Sequence, residues 1–274
     1  MPTVTSRQNA IVARYRAAAR GDDRTLMLLD GVHLVADALA AGIALHDVVV
    51  AAGADSRDEI VELLRTLERA GIGVVRASTM VMAALSPVRS SSPVVALAAR
   101  PPTDLAGVYA GRGAALAVVA VDVQDPGNLG AIVRVAEAAG AGGVVAAGAS
   151  ADPFGWKALR GSMGSALRLP IAHGLESQEA IADARARGCR IVATAPRDGR
   201  SIFDVDLAAA TAILVGGEGP GLPATIVDQA DERATIPMRV PVESLNAAVT
   251  AAVVLYEAHR QRVHEDTKGT KPGP

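Results

Sequence analysis

Ala115-Leu116-Ala117-Val118-Val119-Ala120-Val121-Asp122-Val123 is apolar at every position but one, and Gln124-Asp125-Pro126-Gly127-Asn128-Leu129-Gly130 follows it at once. A continuous apolar run of this length reads as a strand buried on both faces, the habit of parallel sheets covered by helices. Asn128–Ala139 then carries Leu129, Ile132, Val133 and Ala136 at helical spacing. Strand followed by amphipathic helix is the repeating unit of an α/β fold.

The alternation continues downstream. Gly143–Ala147, Pro170–His173, Arg190–Thr194, Ala212–Gly216 and Ala234–Ile236 read as strands, with helices over Ser177–Arg187, Leu222–Gln229 and Ser244–Gln261. Leu245, Val249, Ala252, Val253 and Tyr256 give the last helix a coherent apolar stripe. From about His264 the chain reads as a disordered tail. Upstream, helices are expected near 7–19, from Gly31 to about Ala41, and over 57–70. Strands are expected at Thr25–Leu29, Asp47–Ala51, Gly73–Arg76 and Pro93–Ala98. Residues 98–113 hold two prolines and three glycines between apolar segments and form the linker candidate. The expected division is a small α/β domain over 1–100, a linker over 101–113, a parallel-sheet α/β domain over 114–263 and a tail over 264–274.

The chain's 274 residues suffice for at least one full core. Half of them are hydrophobic but only 2% are aromatic, so Ala, Val and Leu must build that core. Apolar stretches such as Ala114–Val121 are far too short to span a bilayer. The opening residues lack the apolar stretch of a signal peptide, and Cys189 is the single cysteine, so a reducing cytoplasm is expected and a membrane is not. A formal charge of −2 does not announce a nucleic-acid binder. Residues 1–20 nevertheless hold Arg7, Arg14, Arg16 and Arg20 with no acid among them. A solvated helix start explains that run as well as an RNA contact does.

The common nucleotide signatures are absent. No GxxxxGK[ST] occurs and no strand is followed by GxGxxG, which disfavours a P-loop NTPase and a dinucleotide-binding oxidoreductase. Neither HExxH nor CxxC occurs, so no metal is expected. Three unusual clusters remain, each where a predicted strand ends or the next helix begins, the place where ligands collect in open α/β sheets. In the first, Asn128 can cap the helix and Arg134 leans back toward its start. A capped helix with a surface Arg134–Glu137 pair is the reading that the residues of this cluster alone favour. The second, Ile213–Leu222, places four glycines in the six residues 216–221 around Glu218. Such backbone can approach a ligand closely, though a glycine-rich turn with a solvated glutamate is common. The third joins Ile236-Pro237-Met238 to Val240–Ala248, where Ser244 is a natural N-cap and Asn246 sits beside exposed amide donors.

Together the clusters resemble the three motifs of the SpoU (TrmH) RNA 2′-O-ribose methyltransferases of the SPOUT superfamily. Their order, the spacing of Asn128 to Arg134, the GxExxG turn and the IPM…SLN pairing match over about residues 112–262. Lys157–Ser165 is similar to the family's stretch between the first two motifs, with Gly161 where alanine is expected. Ser6…Asn9 and Asp30-Gly31 resemble the family's ribosomal-protein-like RNA-binding domain, with Asp30 where glutamate is expected.

The resemblance implies a C-terminal α/β domain threaded into a deep trefoil knot. It implies S-adenosyl-L-methionine held largely by backbone groups at Thr194, Gly216, Ile236 and Leu245, and a homodimer with Asn128 and Arg134 working near the partner. A ribose 2′-oxygen would attack the donor's methyl carbon. The family gives Arg134 the role of base, yet a guanidinium normally stays protonated. Proton acceptance and positioning of the alcohol both stay open for Arg134. Asn128, Glu218, Ser244 and Asn246 would orient the reacting groups, and Arg7, Arg14, Lys157 and Arg160 are weaker candidates for phosphate contacts. A separate N-terminal domain points to large-subunit, 23S ribosomal RNA. Transfer RNA and a non-catalytic RNA-binding role stay as alternatives.

Overall fold

A computed structural model describes residues 3–88, 91–110 and 113–269. The chain forms two compact units, Met1–Pro102 with Phe154–Arg168, and Thr103–Pro153 with Leu169–Pro274.

The first unit runs β1 (Thr3–Val4), α1 (Ala10–Arg20), β2 (Leu26–Asp30), α2 (Val32–Ala40), β3 (Leu45–Ala51), α3 (Asp58–Arg69), β4 (Val74–Ala77), α4 (Thr79–Leu85) and β5 (Val94–Ala99). Its five-stranded sheet has the order β1-β4-β3-β5-β2, with β5 antiparallel to both neighbours. Tyr15 is fully buried, and its hydroxyl finds the backbone carbonyl of Asp47 at 3.0 Å. β2 is an edge strand, the kind of exposed ladder that invites wrong pairing. A helix over Trp156–Ser162 packs against it. Trp156 joins the cluster of Tyr15, Leu28, Val81 and Leu85, and Arg168 pairs with Asp37 at 3.3 Å. The 154–168 segment therefore completes the first unit, a role that a single cut along the sequence did not foresee.

The second unit contains α5 (Leu105–Val108), β6 (Leu116–Val121), α6 (Pro126–Ala138) and β7 (Gly143–Ala147). The helix just described, α7, follows, and then β8 (Ile171–Leu175), α8 (Ser177–Ala186), β9 (Arg190–Thr194), β10 (Arg200–Ser201), β11 (Thr211–Gly216), α9 (Ala224–Val227), β12 (Glu232–Thr235) and α10 (Ala247–Gly269). Seven strands in the order β10-β12-β9-β11-β6-β7-β8 pair in parallel throughout. Every residue of the interior strand β6 is buried, as its apolar run requires. Ala117, Val119 and Val121 pack with Ala180, Ile181 and Ala184 of α8, while α6 and α10 pack on one another.

Several expectations are corrected. The stretch predicted as a linker is folded from Thr103 to Ala110: Asp104 caps α5 by accepting from the Gly107 amide at 2.8 Å, and Val108 is fully buried. The helix expected over Leu222–Gln229 shrinks to four residues, held off by Pro223. α10 starts at Ala247, because the Asn246 side chain accepts from the amides of Ala248 and Val249 at 2.9 and 3.3 Å. Asn246, and not Ser244, is its cap. At the other end, Arg262 donates to the carbonyls of Leu207, Ala209 and Ala115 at 2.9, 2.7 and 3.2 Å. That anchor holds the helix past Gln261, and residues 264–269 of the predicted tail are helical. Residues 270–274 lie outside the described residues. No helix among the described residues is long and apolar enough to cross a membrane.

The apolar stripe of α10 is not one face but two. Ala251, Val254, Leu255 and Ala258 are buried, whereas Val249 is 48% and Tyr256 52% exposed.

Because Trp156 packs on the first unit's core, Trp156→Ala should destabilise that unit by about 2 kcal/mol, less than the ~3–5 kcal/mol of a fully buried aromatic. Urea denaturation followed by circular dichroism measures it. An unchanged midpoint would show that the 154–168 segment is not part of the unit's core.

Candidate active site

The three clusters meet where parallel strands end. Thr194 closes β9, Gly216 closes β11, and Ile236 follows β12. Together with Glu218, Ser244, Leu245 and Asn246 they line one cavity of about 320 Å³. Its walls are otherwise mostly apolar, including Val215, Leu222 and Met238.

A chain of side-chain hydrogen bonds ties the clusters to each other. Asn246 Nδ2 donates to Asn128 Oδ1 at 3.0 Å, and Asn128 Nδ2 donates to Glu218 Oε1. Asn128 is free to do this because it does not cap α6. Asp125 does, accepting from the Asn128 amide at 2.8 Å, with Pro126 in the first turn. This corrects the expected capping role of Asn128.

The glycines of the second cluster serve close approach. A Cβ on Gly216 would stand 2.4 Å from the Gly221 carbonyl carbon, and one on Gly217 would stand 2.0 Å from the Asp122 carbonyl oxygen. Gly219 and Gly221 adopt φ of +87° and +69°, the left-handed region that side chains resist. Thr194 spends its hydroxyl inside the protein, donating to the Leu214 carbonyl at 2.9 Å. On the rim, Arg197 and Glu243 form an exposed ion pair at 2.8 Å between the loop after β9 and the loop before α10.

Arg134 is not part of the cavity lining. It lies six residues beyond Asn128 on α6, exposed, and makes no hydrogen bond or ion pair among the described residues. The surface pair with Glu137 is therefore not formed. The four weaker candidates belong to the first unit. Arg7 donates to the Met80 carbonyl at 3.3 Å, and Arg14 pairs with Asp47 at 2.6 Å. The Lys157 ammonium lies 5.5 Å from the Trp156 ring centroid, and Arg160 is exposed.

Cys189 is buried, and burial pushes its thiol above the ordinary cysteine range, so it is a core residue and not a nucleophile. Among the described residues no cluster of three metal-ligating side chains exists. Sequence reasoning passed over Thr250, which also lines the cavity. Its signal was available: Thr250 stands one turn beyond Asn246 and shares its helix face.

A cavity at the carboxyl ends of parallel strands, walled by glycine-rich backbone, defines a small-ligand site on an α/β sheet. The chain belongs to the SpoU rRNA methylase family, whose model matches residues 115–256. It is 30% identical to the 23S rRNA (guanosine(2553)-2′-O)-methyltransferase RlmP of Bacillus subtilis, across 93% of this chain and 98% of that protein. The SpoU methyltransferase AviRb from Streptomyces viridochromogenes, solved in complex with AdoMet, superposes with a TM-score of 0.83 at 29% identity, covering 93% of this chain and 99% of AviRb. An RNA 2′-O ribose methyltransferase structure superposes with a TM-score of 0.81 at 32% identity, covering 96% and 100% of the two chains. The mixed α/β fold is that of SpoU methyltransferases.

The link from Asn128 to Glu218 can be measured without any ligand. A double-mutant cycle with Asn128→Ala and Glu218→Ala should give a coupling of about 0.5 kcal/mol in unfolding free energy, the low end for one hydrogen bond because the pair is exposed to solvent. Additive effects would mean that the two side chains do not meet.

Proposed function

We propose that this chain transfers a methyl group from S-adenosyl-L-methionine to a ribose 2′-hydroxyl of structured RNA, with 23S ribosomal RNA as its substrate. The observation that carries the reading is the convergence of Thr194, Gly216, Glu218, Ile236, Ser244, Leu245 and Asn246 on one cavity. Its volume of about 320 Å³ lies within the range of small-ligand clefts, and the glycines at 216 and 217 let the loop pack directly on the backbone of Gly221 and Asp122 at the cavity wall. Likeness to RlmP and AviRb along nearly the whole chain supports the donor and the RNA class.

The donor supplies an electrophilic methyl carbon on a sulfonium. Backbone at Gly216, Ile236 and Leu245, beside Thr194, would hold it. The Asn246–Asn128–Glu218 chain keeps the three loops in register around it, and Ser244 and Asn246 orient groups at the α10 end. Arg134 brings a guanidinium with no partner of its own among the described residues. Such a group suits an RNA phosphate or the attacking hydroxyl, because its five donors cannot be turned off by ordinary pH. Positioning is thus the better supported of its two roles, since a guanidinium is in general a poor proton acceptor.

The active form is a homodimer. Val249, Tyr256 and Val263 recur every seven residues on the open face of α10, and Leu245, Val242 and the 95%-exposed Val240 extend the patch through the preceding loop. A patch of this kind marks an association surface, and a C-terminal helix offers it to its own copy through a two-fold contact. Arg134, on the neighbouring helix α6, would then work beside the partner. The knot belongs to the same reading, as do RNA binding by the first unit and a place in the cytoplasm.

Arg134→Ala should abolish methyl transfer from tritiated donor to total ribosomal RNA, while donor affinity stays within about twofold. Normal transfer in that variant would remove Arg134 from the mechanism. Mapping the methylated ribose in wild-type reactions decides the substrate: label on transfer RNA alone contradicts the ribosomal assignment.

Tyr256→Glu, which puts a charge in the apolar patch, should convert a dimer into a monomer in analytical ultracentrifugation. A wild-type chain that sediments as a monomer at micromolar concentration would contradict the association.

A further inference from the structure

Five polar side chains line the cavity, namely Thr194, Glu218, Ser244, Asn246 and Thr250. Three are engaged within the protein. Thr194 donates to the Leu214 carbonyl, Glu218 accepts from Asn128, and Asn246 both donates to Asn128 and caps α10. The hydroxyls of Ser244 and Thr250 make no hydrogen bond among the described residues. Ser244 already has a place in the site, and Thr250 has none.

Thr250 is unusual for a helical threonine. Such a side chain commonly returns its hydroxyl to the carbonyl one turn earlier. Thr66 in α3 does so, reaching the Glu62 carbonyl at 2.9 Å. At Thr250 the equivalent acceptor is the Asn246 carbonyl, which takes only the Thr250 backbone amide, at 2.8 Å. The hydroxyl has left a local acceptor unused on a half-buried position in the cavity wall. Set in the cavity wall with its local acceptor unused, the hydroxyl stays available to a bound ligand.

Its setting is also rigid. The Asn246 cap fixes the first turn of α10, and the same Asn246 is tied to Asn128 and through it to Glu218. A β-branched side chain on a fixed helix turn has few rotamers to lose on binding. The hydroxyl can donate to a carboxylate, a ribose oxygen or a ring nitrogen, or accept from an amine, so it suits several groups of an adenosyl amino acid.

We infer that the Thr250 hydroxyl hydrogen-bonds the bound methyl donor and sets donor affinity, an inference that rests on reading the cavity as the donor site. The test is calorimetric titration of S-adenosylhomocysteine into the full-length wild type, Thr250→Val and Thr250→Ser, with ligand-free melting measured for each. Thr250→Val keeps the shape and removes the hydroxyl, and it should bind about 3- to 10-fold more weakly, the scale of one lost hydrogen bond. Its ligand-free melting should match the wild type, and Thr250→Ser should bind within about twofold of it. Unchanged affinity in Thr250→Val overturns the inference. Equal losses in the valine and serine variants overturn it too, since the serine variant keeps the hydroxyl and would show that the shape of the wall, not the hydroxyl, sets affinity. A wild type that binds no S-adenosylhomocysteine would remove the donor site itself, which is a separate failure from a wild type that binds and a valine variant that binds equally.

Discussion

The site depends on one side-chain amide. Asn128 stands between the Asn246 amide and the Glu218 carboxylate, joining segments that lie 118 and 90 residues away in the chain. Each loop is rich in glycine or proline and has little regular structure of its own. Left alone, such segments would sample many conformations, and closing long loops costs entropy that local contacts do not return. An amide that donates to one neighbour and accepts from the other fixes both relative to α6. The arrangement works only because Asp125 has taken over the capping of that helix.

The same economy appears at α10. Its first turn is capped by Asn246, its buried face of Ala251, Val254, Leu255 and Ala258 completes the core, and its far end is bolted by Arg262 to four backbone carbonyls. Those anchors hold the helix in place while its other apolar face stays open. A helix fixed at both ends can present an exposed surface without losing the geometry of the cavity at its start. The buried and the exposed apolar residues of α10 thus lie on different sides of one element.

Much of this was legible in the residues. Gly143–Ala147 and Arg190–Thr194 were placed to the residue, because continuous apolar runs bounded by glycine or a charge leave little choice. The second cluster's glycines pointed to close approach to a ligand, whereas the missing space for a Cβ at 216 and 217 reflects contact with the backbone of Gly221 and Asp122. Capping was misread twice, at Asn128 and at Ser244. In both places several polar residues stand near a helix start, and only three-dimensional reach decides which oxygen meets the free amides. Pro126 at the head of α6 was the overlooked cue for the first. α4 and α7 were missed because each is only seven residues long, too short for an apolar period to stand out. The division of the face of α10 could not be read from spacing, since alanine, valine and tyrosine suit a core and an association surface alike.

A crystal structure of the full-length chain grown with S-adenosylhomocysteine tests the central claim most directly. The ligand should lie between residues 216–222 and 236–246, with Asn128 still bridging Asn246 and Glu218. Ligand density elsewhere on the chain, or an Asn128 side chain turned away from both partners, would contradict it.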